Sequence, residues 1–211
     1  PLCIVTPGEA EATRFAADLN TLGIPAAVFP ARDYVLRPIE GTAREYEYRR
    51  LAVLGELVGG RLRAVAVPAE ALTQFTTPKE DFCANTRTLH AGDTLLRDDL
   101  LAALFGAGYT RRAQVDGPGQ FSVRGDIVDI FAPDQKMPVR MEFWGDEIDT
   151  LHTFDLTTQR REDAIDKFYL SPAREVLFGK PADAAEQLRF VANADLPQLD
   201  ADMEYAREVF D

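Results

Sequence analysis

Acidic residues are dense between positions 126 and 149, where carboxylates could bind a metal ion. Five of these acids resemble a metal-binding cluster: Asp126, Asp129, Asp146, Glu147 and Asp149. An oxygen-ligand site needs carboxylates that converge on one point, which closeness in sequence does not ensure. Asp126 and Asp146 each follow a glycine, as aspartate does in tight turns. Asp149 fits the solvated side of a strand. The pattern favours structural roles, and we predict no metal site.

Residues that could act as nucleophiles or general bases are isolated. His90 and His152 stand alone in the sequence, and a histidine without a positioned nucleophile or carboxylate seldom acts as a base. The single Gly-Lys pair, at 179–180, precedes proline, so the G-x-x-x-x-G-K-[ST] phosphate loop is absent from the sequence. The G-x-S-x-G and H-E-x-x-H motifs are absent as well. The sequence therefore predicts no catalytic residue and no cofactor.

The only tryptophan, Trp144, stands among charged residues in the stretch PVRMEFWGDEIDTL, residues 138–151. A strand here has an apolar face of Val139, Met141 and Phe143 and a polar face of Arg140, Glu142 and Trp144. On one interpretation Trp144 packs under a neighbouring loop or the C-terminal helical segment. On the other it is exposed beside Arg140 as a contact for a protein partner, since Trp and Arg are enriched at interface hot spots. The pattern alone leaves both open.

The pair Gly145-Asp146 predicts a two-residue hairpin turn, which fixes how its two strands are paired. The expected pairs are Trp144 with Glu147, Phe143 with Ile148, Glu142 with Asp149, and Arg140 with Leu151. In this register Leu151 shares the polar face. A slip by one residue would bury Arg140 and Glu142, so the register is well specified.

Composition limits the classes of protein to consider. Of 211 residues, 46% are hydrophobic, enough for one or two ordinary domains, and no apolar run is long enough to span a membrane. The net charge of −12 disfavours tight DNA binding and favours solubility or a basic partner. Cys3 and Cys83 lack zinc or disulfide spacing, as expected of a cytoplasmic protein. Because the chain begins at Pro1 with the strand-like PLCIVT, we interpret it as a piece of a longer protein.

The first 82 residues predict an α/β unit with a parallel sheet. Strand-like runs at 2–6, 26–30 and 63–68 alternate with helical patterns at 10–22, 42–58 and 69–75. Thr6 with Pro7 is expected to begin the first helix, and Thr42 to cap the second.

The following residues change to the period-two pattern of strands. A helix beginning near Asp93 or Thr94 is followed, from Tyr109 to about Val176, by a predicted meander of antiparallel strands. The turn DGPG and two Gly-Asp turns join these strands, and KFYL adds one more. Residues 177–211 return to a helical pattern. We therefore predict an α/β segment over 1–82, a β-rich domain over 83–176, and a helical return segment of the first domain over 177–211.

Two long motifs resemble a known module. GYTRRAQVDGPGQFSVRGDIVDIFAP is followed by PVRMEFWGDEIDTLHTFDLTTQRR and then LSPAREV. Together they resemble the small β-rich domain shared by the excision-repair helicase UvrB and the transcription-repair coupling factors. The resemblance implies a truncated helicase-like α/β segment with an inserted antiparallel β domain, as in UvrB domains 1a, 2 and 1b.

The interval from Pro30 to Arg50 distinguishes the two families. UvrB has a long, tyrosine-rich β-hairpin there that holds damaged DNA, and this interval is too short for it. TQRR after the TFD block is also similar to the coupling factors. We therefore identify the chain as the amino-terminal UvrB-like module of a coupling factor. The alternative is a fragment of the UvrB-type helicase that engages DNA and ATP.

The resemblance also implies a partner and its contact residues. In this family the β domain docks onto the damage-recognition ATPase UvrA, through positions that correspond to Arg124, Arg140 and Trp144. The family often has phenylalanine at the last position. The arginines are expected to meet carboxylates of UvrA, and the ring to supply the desolvated centre of the contact. A full-length coupling factor is expected to bind RNA polymerase and DNA and to be an ATP-dependent translocase, whereas this chain is expected to be non-catalytic.

Overall fold

The computed structural model of the chain describes residues 1–32, 43–175 and 177. The helices within these ranges are α1 (Glu9–Thr21), α2 (Ala43–Val58), α3 (Lys79–Ala84) and α4 (Arg97–Gly106), with a 3₁₀ helix at Ala69–Thr73. The first strands are β1 (Leu2–Thr6), β2 (Ala26–Val28), β3 (Ala64–Pro68), β4 (Arg87–His90) and β5 (Thr110–Arg111). The later strands are β6 (Gln120–Arg124), β7 (Ile127–Phe131), β8 (Val139–Trp144), β9 (Glu147–Phe154), β10 (Arg161–Ala164) and β11 (Lys167–Leu170). None of the described helices is long and apolar enough to cross a membrane.

The amino-terminal part is a parallel sheet in the order β1-β3-β2, as the alternating pattern predicts. The central strand β3 is buried along its whole length, which explains its unbroken apolar sequence. One side of the sheet is covered by α1, where Ala12, Ala16 and Ala66 pack together. The other side packs against α2 through Val53 and Val65. The predicted α/β architecture is confirmed.

Three helix assignments differ from the sequence predictions. The helix α1 begins at Glu9, because the hydroxyl of Thr6 donates to the carbonyl of Gly8 and closes the turn before the helix. The helix α4 begins only at Arg97, because the Asp93 carboxylate accepts from the backbone N–H of His90 instead of capping the helix. The predicted third helix is only the short 3₁₀ helix. The Thr42 cap lies outside the described residues.

The β-rich part contains a six-stranded sheet in the order β10-β9-β8-β7-β6-β5. The predicted antiparallel meander is confirmed for β6 to β10. The predicted hairpin at DGPG is wrong, because β5 runs parallel to β6. The backbone N–H of Thr110 donates to the carbonyl of Gly119, and that of Arg112 to Phe121. The connection therefore brings the chain back to the start of β5 before β6 begins.

A separate two-stranded sheet pairs β11 with β4. The prediction of β11 is confirmed, but β4 was not foreseen, because Leu89 is its only buried residue and so it lacks an alternating apolar pattern. Residues of this sheet, α4 and one face of the large sheet share one core. It includes Leu89, Leu100, Leu104, Phe121, Val128, Ile130, Met141, Phe143, Ile148, Leu151 and Phe168.

A buried ion pair joins the amino-terminal sheet to the end of the β-rich part. Arg50 on α2 donates to the carboxylate of Glu175 over 2.8 Å, and both side chains are fully buried. Arg32 donates to the other oxygen of the same carboxylate over 2.7 Å. The guanidinium of Arg50 also lies 4.1 Å from the centre of the Phe29 ring. Glu175 belongs to the LSPAREV motif, so this motif fixes the point at which the chain returns to α2.

A second contact between the two parts surrounds Asp134. Its carboxylate accepts from the Ser171 hydroxyl over 2.7 Å, and it lies beside Gly55 of α2, where an added Cβ would be 3.4 Å from Oδ2. Burial raises the pKa of Asp134, and the hydrogen bond from Ser171 only partly opposes this. Folding therefore shifts the protonation equilibrium of this carboxyl group towards the neutral form.

We predict that Glu175→Gln lowers the free energy of unfolding by about 3 kcal/mol, because it leaves the guanidinium of Arg50 buried without its counter-charge. Urea unfolding followed by far-UV circular dichroism measures this change. The matched control is Glu56→Gln, which breaks the exposed pair with Arg61 and should change the stability by less than about 1 kcal/mol. Similar small effects of both substitutions would contradict the prediction.

We further predict that the stability difference between Asp134→Asn and wild type depends on pH. Between the ordinary pKa of aspartate and the raised pKa of Asp134, the folded state binds a proton that the unfolded chain releases. The wild type therefore loses stability as the pH rises through this window, whereas the asparagine variant does not. Unfolding at a series of pH values from about 4 to 7 should show the variant gaining relative stability with pH. A constant difference would refute the effect.

Candidate partner-binding surface

The hairpin of β8 and β9 contains an irregularity that sets which side chains share a face. Trp144 pairs with Glu147 and Phe143 with Ile148, as predicted, and the register then shifts. The observed pairs beyond the shift are Glu142 with Thr150, Met141 with Leu151, and Arg140 with His152. The predicted pairs Glu142–Asp149 and Arg140–Leu151 are therefore wrong. Asp149 is the extra residue of a β-bulge, which turns Leu151 into the core.

The second face of the six-stranded sheet is the one that faces away from the main core. Its side chains change from apolar to polar along the strands. At one end Val115, Phe131 and Phe154 form a small apolar cluster. A polar row crosses four strands next to it and consists of Ser122, Asp129, Arg140 and His152, each paired with the next. Beyond the row lie Arg124, Glu142 and Trp144, towards the turns at Gly125 and Gly145. The face is therefore closed at one end and open at the other.

A single carboxylate organises the polar row. Asp129 is 1% exposed, and its Oδ1 accepts from Nε of Arg140 over 2.7 Å. Its Oδ2 accepts from Nη2 of Arg140 over 2.9 Å and from Nη2 of Arg124 over 2.6 Å. The contact with Arg140 uses both oxygens, the geometry that makes arginine–carboxylate pairs strong and directional.

Arg140 is largely buried, although its strand position predicts a solvent-facing side chain. Its side chain is 10% exposed; its Nη1 donates to the carbonyl of Gln159, and its guanidinium lies 4.8 Å from the centre of the Phe154 ring. The hydrogen bond to Asp129 raises the pKa of Arg140, so its positive charge is secured. Its carboxylate partner lies within this chain. Arg124, whose side chain is 47% exposed, is the more accessible of the two arginines.

Trp144 is 82% exposed at the end of β8. Its ring is therefore not packed under a neighbouring loop of the described residues, and the C-terminal helical segment lies outside them. Asp146 and Glu147, the next residues along the hairpin, are exposed as well. Glu142 on the same face forms an ion pair with Arg161 and accepts from the hydroxyl of Thr150. A bare indole therefore stands at the open end of this face, next to polar side chains.

The other chemistry-bearing residues are dispersed. Among the described residues there is no group of three or more His, Cys, Asp or Glu that could hold a metal ion. His90 lies 3.5 Å from Asp93 in an exposed turn. His152 lies at the end of the polar row, with Nδ1 buried and without a hydrogen-bond partner. Cys3 and Cys83 are both free and exposed.

The sequence pattern placed Asp129 only in the acidic group between positions 126 and 149 and did not predict its pairing with two arginines. The two hairpin turns carry a Gly-Asp signal, but β7 and β8 are joined by the longer loop APDQKMP, which does not fix a register. The available signal was the position of Asp129 between apolar residues in IVDIF, where a buried carboxylate requires a cationic partner.

Comparisons with known proteins agree with this architecture. Residues 88–176 match the family described as the UvrB interaction domain. A transcription-repair-coupling factor of Myxococcus xanthus is 35% identical over 84% of this chain and 16% of its own length. One from Mycobacterium bovis is 37% identical over 79% of this chain and 14% of its own length, and one from Bacillus subtilis is 28% identical over 96% and 18%. The chain thus spans less than a fifth of the length of these relatives. It belongs to the transcription-repair coupling factor family, and its residues 88–176 are a UvrB interaction domain.

Proposed function

We propose that this chain is the UvrA-recruiting, non-catalytic module of a coupling factor that links stalled RNA polymerase to nucleotide excision repair. The partner surface comprises Arg124, Arg140 and Trp144. The observation that supports the proposal best is the exposure of Trp144 at the open end of the second sheet face. A tryptophan in this position gives a partner a large apolar anchor, and such residues dominate interface energies.

The two arginines contribute to this surface in different ways. Arg124 is accessible enough to meet a carboxylate of UvrA directly, which would help to orient the two proteins. Arg140 lies beneath the surface and is already bonded to Asp129. Arg140 therefore contributes a fixed positive charge below the contact with UvrA. The area that it can present to UvrA directly is small.

The remaining parts of the proposal concern the organisation of the longer protein. We assign 1–82 to a vestigial helicase-like segment and 83–176 to the UvrA-binding domain. The predicted return segment of the first domain, 177–211, lies outside the described residues except for position 177. Separate apolar clusters in the α/β and β-rich parts support the first two of these units. Binding of RNA polymerase and DNA, and translocation driven by ATP, belong to the full-length protein.

The competing function is that of a UvrB-type helicase fragment. The net charge of −12 opposes close contact with phosphates, and the short interval from Pro30 to Arg50 leaves no length for a DNA-clamping hairpin. Duplex DNA binding by this chain at physiological salt would favour the helicase alternative over the recruitment function.

We predict that Trp144→Ala weakens binding to UvrA by roughly 30-fold, about 2 kcal/mol, because the indole is the apolar centre of the contact. Binding is measured by calorimetric titration with purified UvrA. In the wild type, titration with a UvrA interaction domain that lacks tryptophan should also shift the emission of Trp144 as its ring leaves water.

Two matched variants make this experiment specific. Trp144→Phe keeps an aromatic ring and should retain most of the affinity. Leu22→Ala removes another exposed apolar side chain, at the end of α1, and should leave the affinity unchanged. Equal affinity of wild type and Trp144→Ala, with no change in emission, would move the UvrA contact to a different surface.

We also predict that the purified chain releases no phosphate from ATP above the buffer background, because its sequence lacks a phosphate-binding loop. A sensitive phosphate-release assay, with and without DNA, provides the test. Turnover that elutes with the chain through successive chromatographic steps would refute the non-catalytic assignment.

A further inference from the structure

We propose that Asp129 is the positioning residue of the UvrA-binding surface, acting on UvrA only through the two arginines that it holds. The inference rests on the function proposed above and identifies the residue that gives that surface its geometry. Asp129 itself is almost completely buried, so any effect on UvrA must pass through its neighbours.

Asp129 holds its two arginines to different degrees: Arg140 is fixed, whereas Arg124 remains accessible. Arg140 is fixed by both carboxylate oxygens, by the carbonyl of Gln159 and by the Phe154 ring. Arg124 is attached to the same carboxylate only through Nη2. The accessible guanidinium of Arg124 is therefore tethered to Asp129 through one nitrogen.

The same carboxylate also limits how far the pair of positive charges can rearrange. Two guanidinium groups meet at one oxygen, Oδ2 of Asp129, and would repel each other without the negative charge between them. If that charge were absent, the half-exposed side chain of Arg124 would be free to move into solvent. Binding UvrA would then require the ordering of a long, flexible side chain, which weakens association.

The backbone around Asp129 makes this arrangement rigid. Asp129 is paired with Ser122 on one side and with Arg140 on the other, in the middle of the six-stranded sheet. Gln159, whose carbonyl accepts from Arg140, is itself held by bonds from its side-chain amide to Leu156 and Val115. A strand and a braced loop thus fix the platform on which Arg124 is displayed.

The first test is a double-mutant cycle with purified UvrA as the titrant. Asp129→Asn keeps the side-chain volume and removes the charge, and we expect it to weaken binding by about tenfold. In the background of Arg124→Ala the same substitution should have an effect of about threefold or less, because its main route to UvrA has already been removed. The matched control is Asp149→Asn, which neutralises an exposed acid on β9 of the same sheet and should leave the affinity unchanged.

Each outcome of the cycle has a definite meaning. Undiminished affinity of Asp129→Asn, or an equal loss in both backgrounds, would overturn the positioning role while leaving UvrA binding intact. Failure of the wild-type chain to bind UvrA would instead refute the proposed function itself. Circular dichroism and urea unfolding of every variant separate a loss of the fold from a loss of affinity.

A second variant tests the inference without disturbing the buried carboxylate. Arg124→Lys keeps the positive charge on a half-exposed residue but lacks the planar fork that Asp129 orients. If orientation is what matters, this variant should bind UvrA nearly as weakly as Arg124→Ala. Binding as strong as that of the wild type would show that charge alone suffices, and would overturn the proposal even if Asp129→Asn did not fold.

Discussion

The relation between the two halves of the chain depends on the buried ion pair of Arg50 and Glu175. The hydrogen bonds of Arg50 include those to Glu175, to two backbone carbonyls and to two polar side chains. A buried guanidinium is tolerated only when its charge and its donors are matched in this way. Because the two residues are 125 positions apart, the pair brings the end of the β-rich part back to α2.

Asp129, like Glu175, is a buried carboxylate that accepts hydrogen bonds from two arginines, but its surroundings differ. At Glu175 the carboxylate and the guanidinium of Arg50 are fully buried, so this pair stabilises the fold. At Asp129 the carboxylate is equally buried, but one of its two arginines, Arg124, extends to the surface. A buried charge that holds an exposed one transmits the rigidity of the sheet to a side chain that another protein can reach.

The sequence was informative wherever a local rule determined the structure. The buried apolar run of β3 and the Gly-Asp turn after Trp144 specified a parallel sheet and a hairpin, and both are present. Features that depend on contacts across strands were not predictable. The bulge at Asp149 changes the pairing without any glycine or proline to mark it. The Asp129–Arg140 pair requires a register that a seven-residue loop leaves open, and a two-residue strand such as β5 carries no periodicity at all.

The position of Trp144 on a strand, immediately before a braced turn, bears on how it can act as a contact. The backbone N–H of the preceding residue, Phe143, donates to the carbonyl of Asp126 in the neighbouring turn, and the N–H of Leu95 donates to the carbonyl of Asp146. The backbone on either side of the exposed indole is therefore held before any partner arrives. Association with a prearranged anchor avoids the entropy of ordering a loop. An aromatic side chain has only two rotatable bonds, so it loses little conformational entropy of its own on binding. A small exposed area can therefore support specific binding.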